Sequence, residues 1–290
     1  MKKIKCWVEA MRLRTLPVSL AGVILAIGFA IAHGEYEMAP AWLCLLFALL
    51  AQIASNFANE YYDFKSGLDK KGRVGPRRGV TEGDITPQAM KIATYVTLGV
   101  ACFVGCLLIN WSGWWLIGVG VLIAIGVIAY SSGPYPLSRH GLGEVAVLFF
   151  FGVIPVNFTY YLMTQDWASD VLFGSIAAGL MGANVLLVNN YRDYEDDKAV
   201  NKQTLAVKLG RKSAPRIYTL NGVLAVIIFM HNPWLAMPRW TLVFPIIYLL
   251  IHSILSIKIT RKEGRELNTF LGMTAMAMLY YCLSFTLLQL

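Results

Sequence analysis

Apolar runs of roughly the length that crosses a lipid bilayer recur nine times along this chain, and this pattern constrains the fold more than any other. The chain is 57% hydrophobic and only 14% charged, which excludes a large soluble domain. We therefore predict an all-α, polytopic membrane protein. The predicted spans are Leu16–Ala32, Ala39–Ala58, Met90–Ile109, Trp114–Tyr130, Val145–Met163, Val171–Val188, Ile217–Met230, Leu242–Ile257 and Thr269–Leu288.

The distribution of basic residues supports nine transmembrane helices and a cytoplasmic N-terminus. Loops on the cytoplasmic side of a membrane are enriched in lysine and arginine. With the N-terminus inside, every one of the 25 basic residues except Arg239 falls on the cytoplasmic side. If one span were miscounted, the basic residues would no longer be confined to one side of the membrane. The net charge of +8 therefore reflects topology and contact with anionic lipid, and not binding to nucleic acid.

Two loops on the predicted cytoplasmic side carry similar motifs. Asn59 lies at the end of the second span and is followed by Asp63, whereas Asn189 lies at the end of the sixth span and is followed by Asp193. We interpret this recurrence as a duplicated four-helix unit, with halves at roughly 1–140 and 141–260 and an extra helix at 268–290. Residues 1–290 then form a single transmembrane domain built from two four-helix units plus one helix.

The second motif continues to Asp197, so that Asn189, Asp193 and Asp197 follow one another at intervals of four residues. On a continuous helix these three side chains lie on one face, one turn apart. Carboxylates stacked at a membrane boundary repel one another and are costly to desolvate unless a cation is bound. Because the ligands are all hard oxygens, the motif predicts Mg²⁺ or Ca²⁺ in preference to zinc.

Basic residues surround both motifs, and this is the arrangement that a metal-bridged diphosphate requires. Carboxylates hold the metal, and the cations neutralise the charge that develops as a diphosphate leaves. The candidate bases are Arg12, Arg14, Arg77, Arg78, Arg192, Lys198 and Lys202. A third cytoplasmic segment carries Tyr130 and Tyr135, whose rings would suit a site where positive charge develops. A turn with interfacial tyrosines explains that segment equally well.

The basic segment Met1–Thr15 carries apolar side chains among its charges, and we predict an interfacial amphipathic segment that leads into the first span. A cleaved signal peptide is the alternative interpretation, because a basic start precedes an apolar run. The five cysteines lie in or beside apolar runs, and we interpret them as buried structural thiols.

Taken together, the motifs resemble those of the UbiA superfamily of intramembrane prenyltransferases. The passages that carry the resemblance are Arg12–Pro17, Asn59–Asp63 with Gly75–Arg78, Gly133–Leu137 with Gly141–Glu144, Asn189–Asp193, and Lys202–Gly210. They extend from the first predicted span to the seventh and so cover most of the chain. One departure concerns Asp63 and Asp69, which are six residues apart, where the family pattern has four.

The resemblance implies an enzyme that transfers a polyprenyl group from polyprenyl diphosphate to an aromatic acceptor, with Mg²⁺ as cofactor. Among family members, the same passages are similar to those of enzymes that use 1,4-dihydroxy-2-naphthoate in menaquinone biosynthesis. Their reaction releases diphosphate and CO₂ and gives demethylmenaquinone. The implied location is the bacterial cytoplasmic (inner) membrane, with the active site toward the cytoplasm.

The resemblance also implies roles for individual residues. The implied catalytic residues are Asn59, Asp63, Asn189, Asp193 and Asp197. The implied metal ligands are Asp63, Asp69, Asp193, Asp196 and Asp197. The implied diphosphate contacts are Arg14, Arg77, Arg192, Lys198 and Lys202. The implied pocket for the allylic cation and the acceptor contains Tyr130 and Tyr135.

Two other functions remain open on the sequence alone. A member of the same family with another acceptor, such as 4-hydroxybenzoate, would carry similar diphosphate motifs. A cation transporter would line its path with the Asp clusters. Transporter sites usually lie near the bilayer midplane, whereas these clusters lie at span ends on one side, so the sequence favours the enzyme.

Overall fold

Helices form almost the whole of the protein. The structure, a computed structural model, describes residues 2–34, 36–230 and 239–290, and this part of the chain contains no β-strand. The helices are α1 (Lys2–Met11), α2 (Leu16–His33), α3 (Ala39–Lys65), α4 (Gly79–Glu82), α5 (Pro87–Leu107), α6 (Ile109–Ser112), α7 (Leu116–Ala129), α8 (Gly143–Val147), α9 (Ile154–Thr164), α10 (Ser169–Arg192), α11 (Tyr194–Ala199), α12 (Leu205–Leu209), α13 (Ser213–Met230), α14 (Val243–Ile259) and α15 (Leu267–Leu287). A π-helical turn, Leu148–Val153, joins α8 to α9.

Each of the nine predicted spans falls on a helix. In the described part of the chain, seven helices are long and apolar enough to cross a membrane, and the joined α8–α9 segment, Gly143–Thr164, counts as one of them. The fourth and eighth predicted spans fall on shorter apolar helices, Leu116–Ala129 and Val243–Ile259. The all-helical membrane fold is therefore confirmed. The count of nine crossings and the cytoplasmic N-terminus stay predictions, and the side chain of Arg239 lies outside the described residues.

The two helices that carry the motifs end differently. Helix α3 continues past the predicted boundary to Lys65, so the whole first motif is helical. Helix α10 ends at Arg192, and Asp193 leaves helical geometry before α11 begins at Tyr194. The prediction of one continuous helical ladder through the second motif is therefore wrong. Aspartate disfavours helix interiors because its carboxylate competes for nearby donors, and here it is held by guanidinium groups.

Helix α10 connects the two ends of the helical bundle. At its start, Asp170 lies 2.9 Å from Nε2 of His33, which ends α2. Near its C-terminus, Asn190 donates a hydrogen bond of 2.8 Å to Glu144 at the start of α8. Consecutive long helices therefore alternate in direction. We call the end that carries Asn190 the motif end and the end that carries His33 the far end.

Small residues allow α10 to pack closely at the centre of the bundle. A Cβ atom on Gly152 would lie 2.5 Å from the Cα of Gly179, and one on Gly179 would lie 2.6 Å from the carbonyl oxygen of Leu148. The π-helical turn therefore packs backbone to backbone against α10, as small residues permit in membrane helices. On the outer helices, large side chains such as Phe103 and Leu250 are exposed, as a lipid-facing surface requires.

The N-terminal segment forms an amphipathic helix, as predicted. Cys6 and Ala10 on α1 are buried against a small cluster that contains Phe57, Val80 and Met90. Helix α1 thus packs over the end of α3, beside the first motif. Its position at a membrane interface stays a prediction.

Candidate active site

A cavity of about 370 Å³ runs from the motif end into the apolar interior. Its walls include Asn59 and Cys44, which lie fifteen residues apart on α3, so the cavity follows roughly 22 Å of that helix. Apolar side chains line its inner part, among them Phe47, Leu116 and Phe158. Its other part, which we call the charged end, is lined by Arg12, Asn59, Arg73, Arg78, Asn189 and Lys202.

Asn59 is held in the charged end by two arginines. Its Oδ1 accepts hydrogen bonds from Arg12 at 2.6 Å and from Arg78 at 2.8 Å, and its Nδ2 donates to Ser131 at 3.1 Å. Arg12 has a φ of 53°, a left-handed conformation that is uncommon for a residue other than glycine. This strained turn between α1 and α2 directs the guanidinium toward the first motif. Backbone strain of this kind is often found at functional sites.

Asp63 and Asp69 lie behind the arginines that line the cavity. Asp63 is buried and lies 3.9 Å from Arg78 and 3.7 Å from Arg139. Asp69 follows the end of α3, where Gly67 adopts a φ of 68° and returns the chain toward the motif end. Its Oδ2 lies 3.3 Å from Nε of Arg78. The loop, and not the helix face, thus brings Asp69 beside Asp63.

Arg73 joins the two motifs. It donates to Oδ1 of Asp69 at 2.9 Å and to Oδ2 of Asp193 at 2.9 Å. Burial disfavours its charge, but these neighbouring carboxylates more than offset that effect and raise the pKa of Arg73. Sequence reasoning missed this residue as a functional group. The available signal was its spacing of four residues from Asp69.

Asp193 is the most heavily hydrogen-bonded carboxylate of the site. Arg192 donates to both of its oxygens at 2.7 Å, in addition to the bond from Arg73. Arg192 also donates to Asn189 and to Asn268 on α15 at 2.8 Å. Burial alone would raise the pKa of Asp193, but the hydrogen bonds and charge of Arg192 lower it below its usual value. Arg192 therefore positions Asp193 and does not line the cavity.

At the charged end, Lys202 is paired with the buried carboxylate of Asp197. Nζ of Lys202 lies 3.4 Å from Oδ1 of Asp197. Burial raises the pKa of Asp197 to about 6, although Lys202 opposes that shift. Burial would lower the pKa of Lys202, but Asp63 and Asp197 raise it. Burial likewise raises the pKa of Asp69 to about 6, against the charge of Arg73.

The structure does not bring every predicted residue to the cavity. Arg77 is exposed and pairs with Glu9 and Asp84, whereas its neighbour Arg78 is buried at the charged end. Four other predicted residues that lie away from the cavity are also exposed, namely Arg14, Tyr135, Asp196 and Lys198. Tyr135 stacks on the ring of His140, Lys198 lies over the ring of Tyr194, and Asp196 accepts from the backbone of Val74. Tyr130 does line the cavity.

The described carboxylates offer oxygen atoms but no preformed metal cage. Within residues 2–34, 36–230 and 239–290, no group of three or more metal-ligating side chains is close enough together to hold an ion. In the same part of the chain, one oxygen each of Asp63, Asp69 and Asp197 is buried and accepts no hydrogen bond. A buried acceptor without a donor is costly, and each of these oxygens is a hard ligand of the kind that a divalent cation binds.

The protein is therefore a helical membrane protein with a charged site at one end of an apolar cavity. Comparisons with known proteins identify its family. The model of the UbiA prenyltransferase family matches residues 19–285. The chain therefore belongs to the UbiA prenyltransferase family.

Several relatives are similar over most of their length. The chain is 37% identical to the 1,4-dihydroxy-2-naphthoate octaprenyltransferase of Haemophilus influenzae over 217 residues, covering 72% of this chain and 70% of that protein. It is 33% identical to the 1,4-dihydroxy-2-naphthoate octaprenyltransferase of Mycobacterium tuberculosis over 289 residues, which cover 96% and 94% of the two chains.

Solved structures share the fold at lower identity. A UbiA homologue from Archaeoglobus fulgidus, bound to DMAPP and Mg²⁺, matches 96% of this chain and 99% of its own with a TM-score of 0.65 and 16% identity. A UbiA homologue from Aeropyrum pernix matches 91% of this chain and 94% of its own with a TM-score of 0.70 and 13% identity. These similarities establish the fold.

Proposed function

We propose that this protein transfers a polyprenyl group from polyprenyl diphosphate to 1,4-dihydroxy-2-naphthoate, with release of diphosphate and CO₂ and formation of demethylmenaquinone. The observation that carries the proposal is the cavity itself, which joins a buried charged end to a long apolar interior. A polyprenyl diphosphate has this same division between an anionic head and an apolar tail. Relatives that are 34–37% identical over most of their length are named for this acceptor, which supports the choice of ring.

The cations that line the charged end are placed to bind the diphosphate. The cavity wall includes Arg73, Arg78 and Lys202, and more cations than carboxylates line this wall. In a site with little water, such cations stabilise the negative charge that develops on a leaving diphosphate. We therefore assign the diphosphate contacts to these three residues and to Arg12, while Arg192 holds Asp193 in place.

The oxygens of Asp63, Asp69 and Asp197 suit a magnesium ion, because all three are hard ligands and each has an unsatisfied buried oxygen. When bound, Mg²⁺ would neutralise charge on the diphosphate and so assist its departure. We propose these three aspartates as its ligands. Asn59, Asn189 and Asp193 support the site through their bonds to arginine.

The apolar interior of the cavity protects the reactive prenyl group from water. Phe47, Phe150 and Phe158 line the path that the tail would occupy, and Tyr130 lies between this path and the charged end. An aromatic face next to a developing allylic cation stabilises it without providing a nucleophile as reactive as water. The electron-rich acceptor ring would then attack the allylic prenyl carbon at the motif end.

The topology completes the proposal. We propose that the charged end faces the cytoplasm of the bacterial inner membrane, because nearly all lysines and arginines flank that end in the predicted topology. The two motif-bearing halves, 1–140 and 141–260, would each supply one side of the charged end. The bond between Arg73 and Asp193 connects them.

Product identification with a panel of acceptors tests the proposed function. Membranes that contain the protein are incubated with a polyprenyl diphosphate, Mg²⁺ and either dihydroxynaphthoate or 4-hydroxybenzoate, and lipid products are identified by mass. We expect a prenylated naphthoquinol that has lost the carboxylate, and Asp63→Ala should abolish it. A prenylated hydroxybenzoate as the main product would contradict the proposed acceptor.

A further inference from the structure

Glu144 is a buried carboxylate in the cavity wall that the proposed diphosphate site does not use. Glu144 is the second residue of α8, at the motif end, and is 7% exposed. Oε1 accepts a hydrogen bond of 2.8 Å from Nδ2 of Asn190, whereas Oε2 is buried and accepts no hydrogen bond from any described residue. Because an unpaired carboxylate oxygen is costly to bury, Oε2 needs a donor from outside the chain.

The surroundings of Glu144 identify the chemistry of that donor. Asn190 and Tyr130 line the same stretch of the cavity, and the Tyr130 hydroxyl would lie 3.5 Å from a Cβ atom on the adjacent Gly143. Asn190 directly follows Asn189 of the second motif, so its partner Glu144 lies next to the charged end, and the described hydrogen bond to Glu144 comes from Asn190 and not from an arginine. A neutral hydroxyl group fits this position, because the arginines would compete for an anionic group.

We propose that Oε2 of Glu144 accepts a hydrogen bond from a hydroxyl group of the aromatic acceptor and that Glu144 acts as the proton shuttle of prenyl transfer. The assignment rests on the proposed function. The relevant hydroxyl is the one on the ring carbon next to the carboxylate-bearing carbon. The hydrogen bond from the amide of Asn190 to Oε1 fixes the orientation of Glu144 and leaves Oε2 to the acceptor.

The proton moves twice in this scheme, and the atoms balance. As the carboxylate-bearing ring carbon forms its bond to the prenyl carbon, the bond between that prenyl carbon and the diphosphate oxygen breaks and diphosphate leaves. The O–H bond of the acceptor breaks, the proton passes to Glu144, and a ring ketone forms. Loss of CO₂ then returns an electron pair to the ring, the ketone becomes an oxyanion, and Glu144 returns the proton to it. The net change is one prenyl group for one CO₂, with no proton gained or lost.

Glu144→Gln provides the test, because the amide keeps the shape and the bond to Asn190 but presents a donor to the hydroxyl. The purified full-length variant is assayed with polyprenyl diphosphate, dihydroxynaphthoate and Mg²⁺, and diphosphate release is measured beside prenylated product. We expect kcat for prenyl transfer to fall at least about 100-fold, as loss of a general base does. Diphosphate release measured in the absence of acceptor and the KM for polyprenyl diphosphate should stay within about threefold of wild type.

Asp170→Asn is the matched control, since Asp170 is another buried carboxylate on the bundle but lies at the far end and outside the cavity. Asp170→Asn should leave both prenyl transfer and diphosphate release unchanged. If Glu144→Gln does not fold, Glu144→Asp replaces it, and the shorter carboxylate should reduce transfer more than diphosphate release.

The outcomes separate this assignment from the function on which it rests. Wild-type transfer rates in folded Glu144→Gln, or in Glu144→Asp where that replaces it, would overturn the role of Glu144 and leave the proposed function intact. Equal losses of transfer and of diphosphate release in the absence of acceptor would also overturn it, because they indicate a structural role. Wild-type protein that makes no prenylated naphthoate would contradict the proposed function, and the shuttle with it.

Discussion

At the scale of single residues, Arg73 is the group on which the geometry of the charged end depends. It contacts a carboxylate of each motif and lines the cavity. A hydrogen bond to a charged group contributes about 1.5–3 kcal/mol, so its loss corresponds to a change of roughly 10- to 100-fold. We therefore expect Arg73→Ala to lower kcat/KM for polyprenyl diphosphate by about that factor, measured in steady-state kinetics with purified protein.

Arg77→Ala is the matched control for that variant. Both arginines lie on the loop between α3 and α5, but Arg77 is exposed and pairs with Glu9 and Asp84. Its removal should change kcat/KM by less than about twofold, as is usual for an exposed ion pair. The sequence alone predicts the reverse ranking, since it places Arg77 on the diphosphate. A larger loss in Arg77→Ala would therefore contradict the structural assignment.

Metal affinity should depend on pH through Asp69 and Asp197. Burial raises the pKa of each to about 6, so below that pH both carry protons that must leave before Mg²⁺ binds. Affinity should therefore rise with pH from about 5 to 7 and level off above, while Asp193, whose pKa is lowered, stays ionised throughout.

Calorimetric titration of the substrate-free protein with Mg²⁺ measures this dependence without interference from the titration of diphosphate. Asp69→Asn removes one of the two titrating groups and should make the pH dependence shallower. An affinity that is constant across this pH range would exclude both aspartates as ligands.

The sequence predicts the residues of the site better when they lie on helices than when they lie on loops. Asn59, Asp63 and Asn189 follow from their positions at span ends, and the structure places all three at the motif end. Arg77 and Arg78 are adjacent, and the conformation of their loop, which turns at Gly67 and Gly72, decides which of them faces the cavity. Such turns have no periodicity, so the sequence does not distinguish the two residues.

At the scale of helices, the contact between the π-helical turn and α10 is a close backbone-to-backbone crossing. A Cβ on Gly152 would meet the backbone of Gly179 and Ser175 at 2.5 Å. Because backbone atoms cannot move aside as a side chain would, we expect Gly152→Ala to destabilise the fold by about 1–3 kcal/mol. Thermal unfolding in detergent measures this change as a lower Tm.

Gly118→Ala on α7 is the corresponding control, since a Cβ there meets no atom within 4 Å. Alanine has the higher helix propensity, so this variant should be neutral or slightly stabilised. Equal Tm values for the two variants would show that the close crossing of the π-helical turn and α10 is not required for stability.

Helix positions could be predicted because a bilayer imposes both length and composition. The run Leu16–Ala32 became α2, Leu16–His33, with one residue of difference. The errors lie where polar residues follow the apolar run, as in α3, which extends to Lys65 because the first motif is buried against arginines. Apolarity does not report such burial, so a boundary drawn from hydropathy stops too early.

At the scale of the whole molecule, nine crossings with a cytoplasmic N-terminus predict that the chain ends outside. Reporter fusions after Leu290 test this parity. Alkaline phosphatase fused there should be active, because it folds only outside the cytoplasm, whereas green fluorescent protein exported by the same route should be dark. The opposite pair of results would require an even number of crossings or an inverted orientation, and either would invalidate the topology from which the cytoplasmic site is inferred.

The central claim is that the two motifs form one diphosphate site, which drives decarboxylating prenyl transfer. Its most direct test is the product balance of purified protein supplied with polyprenyl diphosphate, Mg²⁺ and dihydroxynaphthoate that is isotopically labelled in its carboxylate. We predict equal amounts of labelled CO₂, diphosphate and prenylated naphthoquinol, with all three lost in Asp63→Ala and in Asp197→Ala. Diphosphate release and transfer that persist in either variant, or a product that retains the labelled carboxylate, would contradict the account.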